Sequence, residues 1–263
     1  MTLSSIPLRI GAVSYLNTKP LVYGLKQRLP DAEISYDLPS RLADDLAASN
    51  LDIALIPTVE YFADPGYEII SDACIACRGP VLSVSLLSRV PMNEITSLAL
   101  DEGSRTSIAL VQVLLNVHHN IVPKLSSLPI GASARDVDAD AVLVIGDRAM
   151  TELENDFSFH WDLGEQWCQW SDTSFVFAMW TARANARFDV GVVSQAFEEA
   201  RNEGLDNLPK IAEQEAGTLG LSSSQCLSYL RDNLYFFLGD RERSGLKLFR
   251  EHATSMGLVG NPV

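Results

Sequence analysis

The first residues that could do chemistry form a polar segment at positions 14–19. The segment offers a hydroxyl at Ser14, a phenol at Tyr15, an amide at Asn17 and an ammonium at Lys19. Such a set could orient a small ligand by hydrogen bonding. A plain polar loop with Asn17 in a turn conformation explains the same residues. Residue types and spacing alone leave both interpretations open.

A second candidate is the run Ser104, Arg105, Thr106 and Ser107 at the predicted start of a helix. Its hydroxyls and free backbone N–H groups could hold a carboxylate or phosphate, with help from the helix dipole. Arg105 could add a charge-assisted bond or point to solvent. The alternative is an ordinary helix cap at Ser104. The chain has neither a G-x-x-x-x-G-K-[ST] nor a G-x-G-x-x-G motif, which disfavours nucleotide binding.

Polar residues beside two other predicted strands complete the set of candidates. Ser83 and Ser85 alternate along one strand and should face the same side, where a hydroxyl could bind substrate. Serines in a buried strand can equally bond to the backbone. Asp147 follows a buried strand and could belong to the site or begin a helix as its N-cap.

The histidines do not form a site in the sequence. His118 and His119 are adjacent on a predicted helix and diverge by about 100°, and His160 and His252 are isolated. No G-x-S-x-G motif and no evident Ser/His/Asp arrangement is present. Any chemistry must therefore use few conventional acids and bases.

Four cysteines in 263 residues are too few for a disulfide framework. Cys74 and Cys77 form a lone C-x-x-C without the second pair or nearby histidines that a zinc site needs. They lie in an apolar stretch before Gly79 and Pro80 rather than at the start of a helix. We therefore interpret them as small buried residues.

The elements that must position these residues alternate between strands and helices. Strands are predicted at 8–13, 33–38, 52–56, 81–88, 97–100, 141–145 and 175–181. Helices are predicted at 20–29, with Pro20 at the first helical position, at 41–49 after a Ser40 cap, at 104–117 and, beyond residue 189, at 190–202, 222–231 and 239–256. Strands that alternate with helices are typical of a parallel sheet with covering helices.

Strand–loop–helix units begin near residues 8 and 97, which predicts an α/β protein with two lobes. The first lobe is expected to comprise residues 1–88 and 182–263, and the second, inserted lobe residues 89–181. The strands at 81–88 and 175–181 could cross between the lobes. Ligands of such folds bind in the cleft, beyond the carboxyl ends of the strands. The polar residues that follow the strands should therefore meet there.

Composition limits the possible partners. The chain has 20 Lys and Arg against 34 Asp and Glu, a formal net charge of −14, with 47% hydrophobic residues. Nucleic acid and anionic membranes repel such a protein, so we expect neither as a partner. No apolar window of about 18 residues predicts a membrane span. The N-terminal sequence lacks a basic segment followed by a long apolar stretch, so we expect no export signal and a cytoplasmic location.

Taken together, the motifs resemble the chorismate dehydratase family of the futalosine route to menaquinone. IGAVSYLNTKPL at 10–21 resembles the N-terminal signature of that family. The resemblance continues in order through the whole chain, in DIALIPTVEY (52–61), GPVLSVSLLS (79–88), LDEGSRTS (100–107), VLVIGDRA (142–149), DLGEQW (162–167) and FVFAMW (175–180). Ser174 departs from the family, which more often has Pro there, and we expect this to affect loop stiffness rather than chemistry.

The resemblance implies a two-lobed fold similar to type II periplasmic binding proteins, with catalysis that needs no metal or organic cofactor. It implies that chorismate, a dicarboxylate, loses water to give 3-[(1-carboxyvinyl)oxy]benzoate. On this basis Asn17 and Ser83 are expected near the reacting face. Ser14, Tyr15, Asp147 and the residues at 104–107 are expected to bind substrate. The proton acceptor could be the side-chain carboxylate of the substrate, a water molecule or Asp147.

Two other functions stay possible on the sequence. One is a cytoplasmic carboxylate-binding protein without catalysis, since a fold does not determine function. The other is the sister enzyme that makes 1,4-dihydroxy-6-naphthoate, whose opening loop carries Pro-Asn-Asp where this chain has Leu16, Asn17 and Thr18. The oligomeric state cannot be read from the sequence.

Overall fold

The computed structural model describes residues 7–151, 157–184 and 187–259. Its strands are β1 (Arg9–Val13), β2 (Glu33–Asp37), β3 (Ile53–Pro57), β4 (Tyr67–Cys77), β5 (Val84–Ser88), β6 (Ser97–Asp101), β7 (Lys124–Leu128), β8 (Ala141–Ile145), β9 (Phe159–Asp162), β10 (Phe175–Arg183) and β11 (Tyr235–Phe237). Its α-helices are α1 (Leu25–Arg28), α2 (Pro39–Ala47), α3 (Thr58–Ala63), α4 (Arg105–His119), α5 (Leu163–Ser171), α6 (Val190–Asp206), α7 (Leu208–Leu219), α8 (Ser223–Ser228) and α9 (Asp240–Ser255).

The strands form two sheets. The first has the order β11-β4-β10-β3-β1-β2, and the second has the order β7-β6-β8-β5-β9. Strands β1, β2 and β3 run parallel, and so do β6, β7 and β8. Strands β10 and β5 run antiparallel to their neighbours. Each sheet therefore has the parallel core that the alternating sequence pattern predicts, extended by strands that cross over from the other half of the chain.

The strands predicted at 81–88 and 175–181 do cross between the two sheets, so the limits between the lobes lie earlier in the sequence than predicted. Strand β5, expected at the end of the first lobe, pairs with β8 and β9 in the second sheet. Strand β10, expected at the end of the second lobe, pairs with β3 and β4 in the first sheet. Sheet membership thus changes between β4 and β5 and again between β9 and β10. The sequence placed these strands correctly, but hydrogen-bond pairing in the fold decides which sheet receives them.

Several predicted elements differ in type or limits. The expected helix at 20–29 is a 3-10 helix, Leu16–Val22, with Pro20 inside it, followed by the short α1. Gly24 lies between them with a left-handed φ of 66°, which ends one helix and starts the next. Helix α2 begins at Pro39 after Leu38, so Ser40 does not cap it. Pro39 takes the first helical position, where its missing N–H costs nothing.

Strand β4 was not predicted as a strand, although its cysteines were interpreted correctly. Cys74 and Cys77 are fully buried in it. Within the described ranges, no group of three or more His, Cys, Asp or Glu side chains could hold a metal ion. In the same ranges no helix is both long and apolar enough to cross a membrane.

Candidate functional site

A cleft opens where loops from the two sheets face each other. It encloses about 470 Å³ between its walls and the solvent at its mouth. Its lining consists of apolar residues and five neutral polar ones: Val13, Tyr15, Asn17, Pro39, Ile75, Val81, Ser83, Val84, Ser104, Ser107, Ile145, Gly146, Phe177 and Ala178. None of these described lining residues carries a formal charge. Five of the nine predicted site residues therefore meet in one cleft.

Asn17 is presented by the 3-10 helix that follows β1. The preceding residue, Leu16, donates its backbone N–H to both carboxylate oxygens of Asp147, at 3.1 and 3.2 Å. The buried hydroxyl of Thr18 donates to Asn17 Oδ1 at 3.3 Å. The contact between Leu16 and Asp147 therefore connects the Asn17 loop, which follows β1 of the first sheet, to a residue that follows β8 of the second sheet.

Asp147 is not among the residues that line the cleft, and its carboxylate is engaged by Leu16. It lies in the first turn of a 3-10 helix whose N-cap is Gly146, so it is not an N-cap either. Burial raises the pKa of Asp147 to about 6, and nearby Glu215 acts in the same direction. The Leu16 N–H and the Lys19 ammonium oppose that rise. In the structure Asp147 holds the Asn17 loop and does not line the cleft.

Ser83 is the residue just before β5, and its side chain lines the cleft. The carboxylate of Asp162 shapes the loop that carries it. Asp162 accepts hydrogen bonds from Val81 N at 3.0 Å and from Leu82 N at 2.6 Å. Leu82 has a left-handed φ of 59°, which is unfavourable for a residue with a branched side chain. The Asp162 contacts hold this conformation and so direct Ser83 into the cleft.

The hydroxyl of Ser83 also has a buried partner. Tyr229 donates its phenol O–H to Ser83 Oγ at 2.9 Å. Ser85, two residues along, lies outside the cleft and pairs with His160 Nε2 at 3.1 Å. Of the two predicted serines, only Ser83 therefore reaches the cleft.

Helix α4 begins at the cleft with Ser104 as its N-cap, one of the two interpretations that the sequence left open. Ser104 Oγ lies 3.1 Å from Ser107 Oγ and accepts a weak hydrogen bond from Ser107 N at 3.4 Å. The first N–H groups of a helix have no carbonyl partners within it. Two hydroxyls and this helix start therefore provide the cleft with donors for an anion.

Three other predicted binding residues, and the candidate cation Lys19, do not line the cleft. Arg105 pairs with Asp44 at 2.8 Å and with Glu60 at 3.2 Å. Thr106 is fully buried and accepts the backbone N–H of Val59 at 3.2 Å.

Ser14 is exposed outside the lining, and Lys19 pairs with Glu215 at 3.0 Å. The helical twist at α4 turns positions 105 and 106 away from the face that carries 104 and 107. An anionic ligand must therefore be held by hydroxyl, amide and backbone donors.

Tyr15 packs its ring against the second sheet. A Cβ at Gly146 would lie 2.6 Å from that ring, and Gly146 has a φ of +74°. Burial raises the pKa of Tyr15, and Asp101 and Asp147 add to the rise. The phenol therefore stays protonated and can donate a hydrogen bond to an anion.

Three residues that shape the site were not predicted: Tyr229, Asp162 and Asp101. Asp101 is buried and accepts from Gly103 N, Ile145 N and the Arg148 guanidinium. Asp162 caps α5 through Glu165 N, and its D-x-x-E spacing is a helix-start signal that could have identified it. Nothing in the local sequence singles out Tyr229.

Comparisons with known proteins identify the family of the chain. The model of the menaquinone biosynthesis family matches residues 8–255. This chain belongs to that family. Chorismate dehydratase of Thermus thermophilus is 29% identical, with 98% of each chain covered. Chorismate dehydratase of Campylobacter jejuni is 26% identical, over 95% of this chain and 99% of that protein.

Solved structures with the same fold share little sequence with it. A protein from Archaeoglobus fulgidus superposes with a TM-score of 0.76 at 16% identity, covering 97% of this chain and 100% of its own. The periplasmic aliphatic sulphonate binding protein of Escherichia coli gives a TM-score of 0.63 at 16% identity, covering 99% and 90%. The family member thus has the two-sheet α/β fold of periplasmic binding proteins, as predicted.

Proposed function

We propose that this protein is a chorismate dehydratase, a carbon–oxygen lyase that converts chorismate to 3-[(1-carboxyvinyl)oxy]benzoate in the futalosine route to menaquinone. Membership of the menaquinone biosynthesis family and the two curated relatives of that activity support this function. The observation that carries it is the cleft, which brings Asn17 and Ser83 together with the α4 start among neutral donors. We further propose that the reaction takes place in the cytoplasm.

The chemistry suits a cleft without ionised side chains. The ring C–H bond at the carbon that bears the enolpyruvyl ether breaks, and its electrons spread through the ring double bond onto the ring carboxylate. The neighbouring C–O bond then breaks, and the hydroxyl leaves as water with a proton. An aromatic ring forms, which supplies a large driving force. The protein mainly has to orient the substrate and stabilise the delocalised anion.

The residues of the cleft fit distinct parts of this task. Ser104, Ser107 and the first N–H groups of α4 would hold one carboxylate. Asn17, a neutral amide and hence a poor base, would hydrogen-bond near the reacting carbon. Because Asp147 is held by Leu16 outside the lining, the proton acceptor would be the side-chain carboxylate of the substrate or a water molecule.

The decisive experiment incubates the purified protein with chorismate and detects the benzoate product by mass spectrometry. Product formation is expected. Heat stabilisation by chorismate without product would instead indicate a binding protein, and conversion of a naphthoate precursor alone would indicate the sister enzyme.

Matched variants then connect the activity to the cleft. Asn17→Ala should lower kcat by about 10²-fold or more, as loss of one aligned donor does, with a smaller change in KM. Ser83→Ala should also lower kcat. Ser85→Ala serves as the control, because Ser85 lies on β5 only two residues from Ser83 but outside the cleft. Equal effects of the two serine variants would contradict the assignment.

A further inference from the structure

The chain adopts a π-helical turn at Tyr229–Asn233, between α8 and β11. Such turns are rare and are frequently found at functional sites. Both ends of this turn contact the loop that carries Ser83. Tyr229 donates to Ser83 Oγ at 2.9 Å, and Asn233 Nδ2 donates to the carbonyl of Pro80 at 3.0 Å. The turn therefore holds the cleft loop at two points, three residues apart.

The contact with Tyr229 determines what the Ser83 hydroxyl can do. A hydroxyl has one proton and two acceptor positions. Because Ser83 Oγ accepts a hydrogen bond from Tyr229, the proton of the Ser83 hydroxyl must point in another direction. Within the described residues Ser83 Oγ makes no other hydrogen bond, and the side chain lines the cleft. The remaining direction is toward a ligand.

Tyr229 is suited to keep this arrangement at any working pH. Only 1% of its surface is exposed. Burial raises the pKa of its phenol, and Asp147 and Asp162 nearby add to that rise. Hydrogen bonds with Ser83 and Asn17 act in the opposite direction. The phenol therefore stays protonated and remains a donor to Ser83.

We propose that Tyr229 is a positioning residue for the dehydration, which fixes the Ser83 hydroxyl as a donor aimed at the substrate. The inference rests on the proposed function. A donor that already accepts a hydrogen bond is polarised and donates more strongly. Tyr229 does not line the cleft itself, so it acts through Ser83.

A double-mutant cycle tests this role. Tyr229→Phe removes one oxygen and keeps the buried ring, so the fold should be retained. We expect kcat to fall by about tenfold or more, as expected for loss of one oriented hydrogen bond, and KM to change less than threefold. If Tyr229 acts through Ser83, the variant with both Tyr229→Phe and Ser83→Ala has the kcat of Ser83→Ala alone, within about twofold.

Two further variants keep the test interpretable. Tyr67→Phe is the matched control, because Tyr67 is a buried tyrosine of β4 outside the cleft, and its kcat should equal that of the wild type. Asn233→Ala removes the second contact of the π-helical turn and should also lower kcat. If Tyr229→Phe does not fold, Asn233→Ala becomes the test variant, and an unchanged kcat of Asn233→Ala would then overturn the proposal.

The remaining outcomes separate the two proposals. A kcat of Tyr229→Phe within twofold of the wild type overturns the positioning role. So does a double variant in which the losses of kcat from Tyr229→Phe and Ser83→Ala multiply. In both cases the wild-type turnover of chorismate still supports the proposed function. Absence of product with the wild-type protein overturns the proposed function and, with it, the role of Tyr229.

Discussion

The replacement Asp147→Asn should make the protein more stable at neutral and basic pH. The carboxyl of Asp147 has a pKa raised from 3.8 to about 6, chiefly by burial. That difference corresponds to about 3 kcal/mol of unfavourable free energy for the charged form in the folded state. Asparagine has nearly the same volume and no charge, and its Oδ1 can still accept the Leu16 N–H that Asp147 binds at 3.1 Å.

The pH dependence has a defined sign. The folded protein holds the Asp147 proton more tightly than the unfolded chain, so it binds more protons between about pH 4 and pH 6. The contribution of Asp147 to stability is therefore highest below pH 4 and decreases as the pH rises through 6. The charges that face this carboxyl are Lys19, which lowers the pKa, and Glu215, which raises it.

Urea unfolding of both proteins from pH 4 to pH 8 measures the effect. The free energies of unfolding should be similar near pH 4 and differ by up to about 3 kcal/mol at pH 8, or roughly 6–10 °C in Tm. The exposed Asp31→Asn serves as control and should change stability by less than about 0.5 kcal/mol. If the difference in the free energy of unfolding between wild type and Asp147→Asn stays constant from pH 4 to pH 8, the reasoning is refuted.

Asp147→Ala separates the charge from the hydrogen bond. It removes the acceptor as well as the charge and leaves the Leu16 N–H unpaired, which costs about 1–3 kcal/mol. Because Leu16 precedes Asn17, this variant should also lower kcat, whereas Asp147→Asn should keep most of the activity. Equal kcat values for the two variants would contradict a holding role for this contact.

Three further outcomes follow from the structure. Ser107→Ala should raise the KM for chorismate several-fold in steady-state kinetics, and Arg105→Gln should leave it unchanged, because Arg105 is paired with acidic residues away from the cleft. Gly146→Ala should weaken substrate binding, measured by calorimetry, since its Cβ would meet the Tyr15 ring at 2.6 Å. Glu242→Ala should lower the free energy of unfolding by about 1–3 kcal/mol, measured in urea, since this fully buried carboxylate binds the partly exposed Arg78 and the buried Ser174.

Each of these outcomes has a clear contrary result. A raised KM in Arg105→Gln would show that this cation reaches the substrate after all. Unchanged affinity in Gly146→Ala would mean that Tyr15 does not need its present position. The exposed Glu251→Ala on the same helix is the control for Glu242→Ala, and equal stabilities of the two variants would remove Glu242 as an anchor of α9.

The buried Glu242 also gives Ser174 a structural role. Ser174 Oγ donates to Glu242 Oε1 at 2.7 Å, in a fully buried position. The expectation that Ser174 affects only loop stiffness is therefore incomplete. Its hydroxyl satisfies a buried carboxylate, which needs such partners when it leaves water.

Much of the fold was predictable because strands and helices depend on local patterns. Buried strands such as β8, and the N-cap at Ser104, follow from apolar runs and capping chemistry within a few residues. The Leu16–Val22 turn and the start of α2 were placed less well, since Pro20 and Pro39 fit more than one local geometry. Sheet membership of β5 and β10 depends on pairing partners far along the chain, which no local pattern contains.

The sequence by itself determined the residues that can donate to an anion, the strand ends that present them and the family to which the chain belongs. Its motifs singled out Asn17, Ser83, Ser104 and Ser107, and the structure brings these residues together in one cleft. Only the tertiary structure decided which charges reach that cleft. A net charge of −14 leaves acidic partners for cations such as Arg105 and Lys19. Ion pairing and the turn of a helix therefore direct these cations outward, and the cleft is left with neutral donors for an anionic ligand.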